Sequence, residues 1–186
     1  MTKPAGSTAE TSGGRQAVTE GHGHTWQWGV AEPGDAPEVH ALLGACDTYQ
    51  AEQSGTPVPM RRPERTRELV VSAAVHVLRS ADGIAAMFTL AWDDSTPDGY
   101  PAAARPARLS RLAVRPELLS TGSMAGVQCV RRAIELATAR GADVLRAEAN
   151  PDLAQTRALL GHLGFRQHGP VESDGDRRWV RLQRQL

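Results

Sequence analysis

The chain has 186 residues, a length that suits one domain with a sizeable core, and its 21 basic and 21 acidic residues give a formal net charge of zero. No whole-protein field therefore attracts nucleic acid or a membrane surface, and no apolar run approaches the roughly 20 residues of a membrane span. Two cysteines, Cys46 and Cys129, do not make a disulfide scaffold, so we expect both to be reduced in a cytoplasmic protein. Lys3 is the only lysine, and this preference for Arg is typical of a high-GC bacterial genome.

Residues 1–24 contain almost no apolar side chains, which predicts a flexible N-terminal tail ahead of a folded domain at 25–186. Within that domain, alternation with period two, apolar residues at helical spacing and turn residues indicate the elements. In chain order they are a strand at 25–30, a helix from 35 with a second helical stretch to 55, a helix at 61–71, a hairpin at 74–79 and 84–92, a strand at 108–114, a helix from about 124 to 140, a strand at 142–149, a helix at 151–163 and a final antiparallel pair at 166–171 and 178–182. This order predicts an α/β domain with a mixed sheet and helices on both faces.

The most informative stretch runs from Arg108 to Gly126. A strand-like run is stopped by Pro116, a segment rich in Ser, Thr and Gly follows, and an amphipathic helix begins near Met124. Backbone N–H groups in such a turn can converge on a phosphate, and the helix N-terminus adds partial positive charge. Every strand–helix unit has a turn of this kind, so its meaning depends on the sequence around it.

About a third of the chain, from Arg108 to Phe165, resembles the GCN5-related N-acetyltransferase (GNAT) family. Leu112–Pro116, which reads LAVRP, is similar to the LxVxP strand of that family, and Thr121–Gly126 stands where its coenzyme A pyrophosphate loop lies. Asn150 and Leu163–Phe165 match two later landmarks, a loop containing Asn and a helix that closes on Gly-Phe. The resemblance implies a single GNAT-type domain with a mixed, mostly antiparallel sheet flanked by helices on both faces.

This resemblance also implies a reaction. An acyl group, first of all acetyl, would pass from acetyl-coenzyme A to the amine of a small molecule by direct attack in a ternary complex, with no metal. A main-chain N–H near Leu112–Val114 would polarise the thioester carbonyl. The residues implied as donor contacts are Leu112, Ala113, Val114, Thr121, Gly122, Ser123, Met124, Ala125, Gly126 and Asn150.

Three residues depart from the family pattern. Thr121 stands in place of an Arg or Gln, and Met124 replaces the middle Gly of the loop. Leu160 stands where the family often has a Tyr that protonates the leaving thiolate. These departures leave two alternatives open, a GNAT-fold transferase with another donor such as aminoacyl-tRNA, and a non-catalytic protein that binds a ligand or partner.

Two polar residues on interior strands, Ser110 and Glu148, are candidates for catalysis because buried polar groups need partners or a purpose. Glu148, close to the end of its strand, is the candidate base. The alternative for Glu148 is a surface carboxylate paired with Arg146 or another Arg.

The acceptor pocket has no motif of its own. We expect it to be formed by Tyr49, the Arg61–Arg67 segment and the Asp93–Tyr100 loop, with Tyr49, Arg61 and Asp93 as substrate contacts. Clusters of arginine such as this one are usually solvated. If the arginines converged on the Thr121–Gly126 loop, they could bind a polyanionic donor such as aminoacyl-tRNA. The sequence leaves open whether the chain forms a homodimer.

Overall fold

A computed structural model describes residues 16–19, 25–92 and 99–186. Its strands are β1 Gln16–Thr19, β2 Thr25–Val30, β3 Val75–Ser80, β4 Gly83–Trp92, β5 Pro106–Val114, β6 Val144–Ala149, β7 Arg166–Asp174 and β8 Arg177–Gln185. Its α-helices are α1 Ala36–Ser54, α2 Pro63–Val71, α3 Pro116–Ser120, α4 Ala125–Ala139 and α5 Ala154–His162. These described strands form one sheet in the order β1-β2-β3-β4-β5-β6-β8-β7.

Among the described strands, β5 and β6 are the one parallel pair, and every other neighbouring pair is antiparallel. One face of the sheet packs against α4 and α5 around a core that includes Phe88, Leu109 and Leu145. The opposite face packs against α1 and α2 around Val39, Val77 and related side chains. The predicted single domain, with a mixed and mostly antiparallel sheet between two helical layers, is confirmed.

Several local features differ from the sequence prediction. Gln16–Thr19, within the predicted tail, form a strand that pairs with β2, while the rest of 1–24 lies outside the described residues. The two predicted helical stretches after residue 35 are one continuous helix, α1, which ends at Gly55 in the left-handed conformation. The segment after β5 contains a short helix, α3, because Pro116 suits the first helical turn as well as it ends a strand.

No helix within the described ranges is both long enough and apolar enough to cross a membrane.

Leu160 on α5 is 3% exposed and packs in the core beneath α4. We expect Leu160→Ala to lower the free energy of unfolding by about 2–5 kcal/mol, because it removes buried methyl groups and leaves a cavity. Chemical denaturation measures this loss. A turnover defect in a variant of unchanged stability would instead place Leu160 at the reacting centre.

His76 on β3 stacks on Phe88, with ring centroids 5.0 Å apart. Burial, with a smaller contribution from the charge of Arg132, lowers the pKa of His76 to about 4. Since the unfolded imidazole titrates near 6.5, the unfolded chain binds this proton first as pH falls, and stability drops between about pH 6.5 and 4. This loss of stability lowers the melting temperature as the pH falls, and we expect the fall to be smaller in His76→Gln. Parallel curves for the two proteins from pH 7 to 4 would contradict the assignment.

Candidate functional site

The parallel strands β5 and β6 separate halfway along β5. Their pairing runs from Pro106 opposite Val144 to Leu109 opposite Ala147 and stops there. Beyond Leu109, β5 continues to pair with β4 alone, so the sheet opens along one edge of β5. We call this opening the strand gap. Main-chain groups on an unpaired strand edge are available to an extended ligand, as they are in recognition by strand addition.

A bulge in β5 accompanies the strand gap. Met87 pairs with Ala113 and Thr89 pairs with Ser110, so β5 has one residue more than β4 at this place. Arg111 lies in the bulge with φ +49°, a left-handed conformation that costs a side-chain-bearing residue of order 1–3 kcal/mol. Because bulges bend the strand that carries them, the extra residue directs the end of β5 away from the regular sheet.

Val114, at the end of β5, turns its main-chain N–H toward the strand gap. The next amide, that of Arg115, donates to the carbonyl of Ala85 on the β4 side at 3.0 Å, and successive amides of a strand alternate in direction. The Val114 N–H meets the thiol of Cys46 on α1. Burial raises the pKa of that thiol, and the Val114 hydrogen bond offsets part of the effect. A thiol is a weak acceptor, so a carbonyl oxygen would be a better partner for this amide.

The first three N–H groups of the loop between α3 and α4 are already hydrogen-bonded within the protein. The N–H groups of Thr121, Gly122 and Ser123 donate to carbonyls of α3 at 3.0–3.3 Å. Gly122 has φ +68°, as the turn requires. The α4 hydrogen-bond ladder begins at Gln128, whose N–H donates to Met124 at 2.9 Å. The amides before Gln128 are therefore the ones that have no intrahelical acceptor.

The start of α4 lies beside the end of β5. Gly126 faces the side chains of Val114 and Leu159, where an added Cβ would make ordinary contacts at 3.8 and 3.6 Å. Ala125 is fully buried and its N–H reaches the Ser123 hydroxyl at 3.4 Å, whereas Met124 is 48% exposed. The predicted phosphate site stays a prediction; the first turn of α4 is the part of it whose amides precede the helix hydrogen-bond ladder, and the Met124 side chain is exposed there.

Ser110 and Glu148 lie at the mouth of the strand gap. Each is one residue beyond the last β5–β6 pair, and both point to the sheet face opposite α4, because the preceding Leu109 and Ala147 belong to the α4 core. Thr89, the β4 neighbour of Ser110, has a buried hydroxyl with no hydrogen-bond partner in the described structure. The sheet therefore brings both predicted catalytic residues to one place.

Glu148 pairs with Arg177 of β8, whose Nη2 donates to Oε2 at 2.9 Å. Glu148 is exposed, so it is a surface carboxylate paired with an Arg, which was the alternative to a catalytic role. The partner is not Arg146, which is fully buried and makes other contacts. Its guanidinium donates to Gln183 at 3.1 Å and to the Pro101 carbonyl at 2.7 Å, and it lies 4.9 Å from the ring centre of Tyr100. Its Nη1 has no hydrogen-bond partner in the described part of the chain.

Tyr100 ends the loop expected in the acceptor pocket but was not predicted as a substrate contact, and it lies on the same sheet face as Glu148. Its hydroxyl donates to the carbonyl of Ala147 at 2.9 Å, at the point where β5 and β6 separate. Burial, followed by the charge of Glu148, raises the pKa of Tyr100 to about 12, so the phenol stays protonated. No pattern in the sequence marks this contact, because it joins a loop to a strand 47 positions away.

The predicted substrate contacts are only partly described. Arg61 binds Asp47 of α1 through two hydrogen bonds, one of them from Nη2 to Oδ1 at 2.8 Å, and so fixes the α1–α2 connection. Tyr49 is half-buried on α1, one turn of the helix or less from Asp47. Asp93 lies outside the described residues. Asn150, a predicted donor contact, accepts the Asp152 N–H at 3.0 Å in the turn before α5.

Solved structures share this fold. An acetyltransferase of the GNAT family from Listeria monocytogenes 4b F2365 has a TM-score of 0.69 at 15% identity, covering 92% of this chain and 100% of the other. The GNAT domain of S. lividans PAT has a TM-score of 0.69 at 17% identity, covering 92% and 97%. A chain of the NatC complex bound to Gag peptide and CoA has a TM-score of 0.65 at 10% identity, covering 87% and 98%. The chain therefore has the GNAT fold.

No protein-family model and no curated protein matches the sequence.

Arg111 offers a direct test of strain in the bulge. We expect Arg111→Asn to leave the free energy of unfolding unchanged or to raise it by up to about 1 kcal/mol, because Asn tolerates the left-handed conformation better than Arg. Arg111→Val should lower it, because a β-branched residue is disfavoured there. Urea denaturation of the three proteins measures both changes. A large loss of stability in Arg111→Asn would show that the guanidinium itself holds the fold together.

Proposed function

We propose that the chain is an acyltransferase that moves an acyl group, first of all acetyl, from a coenzyme A thioester to the amine of a small molecule. The observation that carries this proposal is the strand gap, which opens at Leu109 and ends at the gap-facing amide of Val114 beside the first turn of α4. An extended thioester arm suits the open edge of β5, and a phosphate suits the helix start.

The described residues fit such a donor in part. The amides of Gly126 and Val127 precede the α4 ladder and supply donors for a pyrophosphate oxygen. The amides of Thr121–Ser123 are already paired, so these residues would contribute mainly the shape of the loop. The side-chain oxygen of Asn150 accepts a hydrogen bond within the turn, and its amide nitrogen could donate to a ligand.

The site supports direct attack of the amine on the thioester carbonyl. As the new C–N bond forms, negative charge develops on the carbonyl oxygen, where the Val114 N–H can stabilise it. The C–S bond then breaks and the thiolate leaves. Glu148 at the mouth of the gap would accept the amine proton, directly or through a water. Burial raises the pKa of both Cys46 and Cys129, which argues against a covalent acyl-cysteine intermediate.

The distribution of charge favours a small donor over a transfer RNA. Five arginines of the Arg61–Arg67 segment and of β8 each pair with a carboxylate: Arg61, Arg65, Arg177, Arg178 and Arg181. Arginines neutralised in this way are less available to a row of phosphates.

Donor binding tests the proposal through thermal stability. Coenzyme A or acetyl-coenzyme A at 100 times its dissociation constant should add about 2.7 kcal/mol to the free energy of unfolding. We expect Gly126→Pro, which removes one N–H from the first turn of α4, to weaken donor binding about tenfold or more. Gly126→Ala is the matched control, since it adds a Cβ and keeps the N–H, and it should bind nearly as the parent does.

Circular dichroism establishes that both variants remain folded. The absence of a shift at millimolar donor would count against coenzyme A and favour a non-catalytic binding protein. Equal donor affinity in the two folded variants would remove the α4 start from the site.

Salt dependence separates the two classes of donor. Each neutralised phosphate of a single strand adds a slope of about −0.7 to the logarithm of affinity against the logarithm of salt concentration. For acetyl-coenzyme A we expect a shallow slope and little effect of Arg62→Gln combined with Arg67→Gln, two exposed positions that leave the Arg61–Asp47 pair intact. Tight binding of aminoacyl-tRNA with a steep slope that these changes reduce would overturn the coenzyme A proposal.

A further inference from the structure

The hydroxyl of Thr89 on β4 is a buried polar group without a hydrogen-bond partner. Thr89 is 1% exposed, and its Oγ1 makes no hydrogen bond within the described part of the chain. Buried hydroxyls in folded proteins are nearly always paired, because an unpaired one has lost its water and gained nothing in return. This hydroxyl therefore calls for a partner that the described residues do not supply.

The neighbours of Thr89 would accept an apolar side chain in its place. Val75 of β3 lies directly opposite, and Met87 lies two residues earlier on the same face of β4. Both are fully buried in the core between the sheet and the layer of α1 and α2. Valine has nearly the shape of threonine and would pack against them without an unpaired oxygen. The hydroxyl thus weakens the core in the free protein, which a bound ligand would offset.

Thr89 lies beside the mouth of the strand gap. Its direct partner on β5 is Ser110, which is half-buried and stands one residue beyond the last β5–β6 pair. Residues opposite one another in an antiparallel pair share a face, so the two hydroxyls are neighbours on the face opposite α4. From this point β5 bulges, because the next listed partner of β4, Met87, is opposite Ala113.

We call the face opposite α4, at the strand gap, the acceptor side. The α4 start, where a donor phosphate is proposed, packs on the other face of the sheet. A ligand that reaches Ser110 from the acceptor side arrives next to Thr89. The partner of the Thr89 hydroxyl is therefore part of the acceptor rather than the phosphate end of the donor.

We propose that the Thr89 hydroxyl binds an oxygen of the acceptor, so that acceptors are amines that also carry a hydroxyl or carbonyl group, and plain alkylamines are poor substrates. This inference rests on the proposed function for the reaction, and on the unpaired hydroxyl for the contact. A threonine hydroxyl both donates and accepts, so either group pairs with it. An alkylamine would leave the hydroxyl buried and unpaired, and sites of that kind discriminate strongly against such a substrate.

The test uses primary amines in matched pairs that differ by polar groups, such as ethanolamine with propylamine and glycinamide with isobutylamine. Turnover is followed as release of free coenzyme A from acetyl-coenzyme A. We expect kcat/KM for the best oxygen-bearing amine to exceed that of its apolar match about 10-fold or more. Thr89→Val should bring this ratio close to one, chiefly through KM of the polar amine, with donor affinity unchanged. Thr89→Ser, which keeps the hydroxyl, should retain most of the ratio.

Thr138→Val is the control for loss of a threonine hydroxyl, since Thr138 is exposed on α4. It should keep the parent's preference for the oxygen-bearing amines. Apolar amines that turn over as well as their polar matches, or a preference that survives Thr89→Val, would overturn the inference and leave the proposed function standing.

Thermal stability tests the unpaired hydroxyl by itself. We expect Thr89→Val to raise the melting temperature by about 2–4 °C, because it removes a buried oxygen that has no partner. The contrast is Thr66→Val on α2, where the buried hydroxyl shares a hydrogen bond with His40 Nδ1 at 3.1 Å, so its removal should lower the melting temperature. A similar fall in Thr89→Val would show that its hydroxyl is already paired in the free protein, and would overturn the inference.

A third measurement does not depend on turnover. The methyl resonance of Thr89 in a protein labelled with ¹³C-threonine, assigned by its loss in Thr89→Val, is titrated with the same pairs of amines. A shift with the oxygen-bearing amines and none with their apolar matches supports the contact, even if no acyl transfer occurs and the proposed function fails. Equal shifts within each pair, or no shift with any amine, overturn it.

Discussion

The extra residue in β5 is the constraint on which the rest of the structure depends. Because β5 has one residue more than β4 between Ser110 and Ala113, it cannot keep a regular ladder on both sides. Pairing with β4 is kept and pairing with β6 ends at Leu109. The end of β5–β6 pairing opens the strand gap and exposes one edge of β5. It also brings Val114 to the start of α4.

Packing on the two faces keeps the opening in place. On one face, α4 and α5 bury the side chains of β5 and β6, including Leu109 and Ala147, up to the point of separation. On the other face, Tyr100 bonds to the Ala147 carbonyl and lies against the buried guanidinium of Arg146. The arrangement leaves the polar residues beyond this point, Ser110 and Glu148, facing a common space.

Charge on the acceptor side follows a simple pattern. The formal charges of the chain cancel, and most arginines near the site have a carboxylate within hydrogen-bond distance.

Much of the fold could be predicted from the sequence, because the apolar periods of α1, α4 and the strands are long and regular. The resemblance over Arg108–Phe165 located the gap strand and the helix start. The resemblance could not show that α3 carbonyls accept hydrogen bonds from the amides of Thr121–Ser123, since an internal hydrogen bond leaves no pattern in the sequence. The bulge at Arg111 was missed for a similar reason, because Arg is not a residue that marks a left-handed position.

Backbone amide shifts in a ¹H–¹⁵N spectrum, on addition of coenzyme A and of acetyl-coenzyme A, test the strand gap most directly. We expect both ligands to shift the amides of Gly126 and Val127 at the α4 start. We also expect acetyl-coenzyme A to shift the Val114 amide, since a carbonyl oxygen replaces the Cys46 thiol as its acceptor. Shifts confined to other surfaces, or a Val114 amide indifferent to both ligands, would contradict the assignment of the strand gap as the donor site.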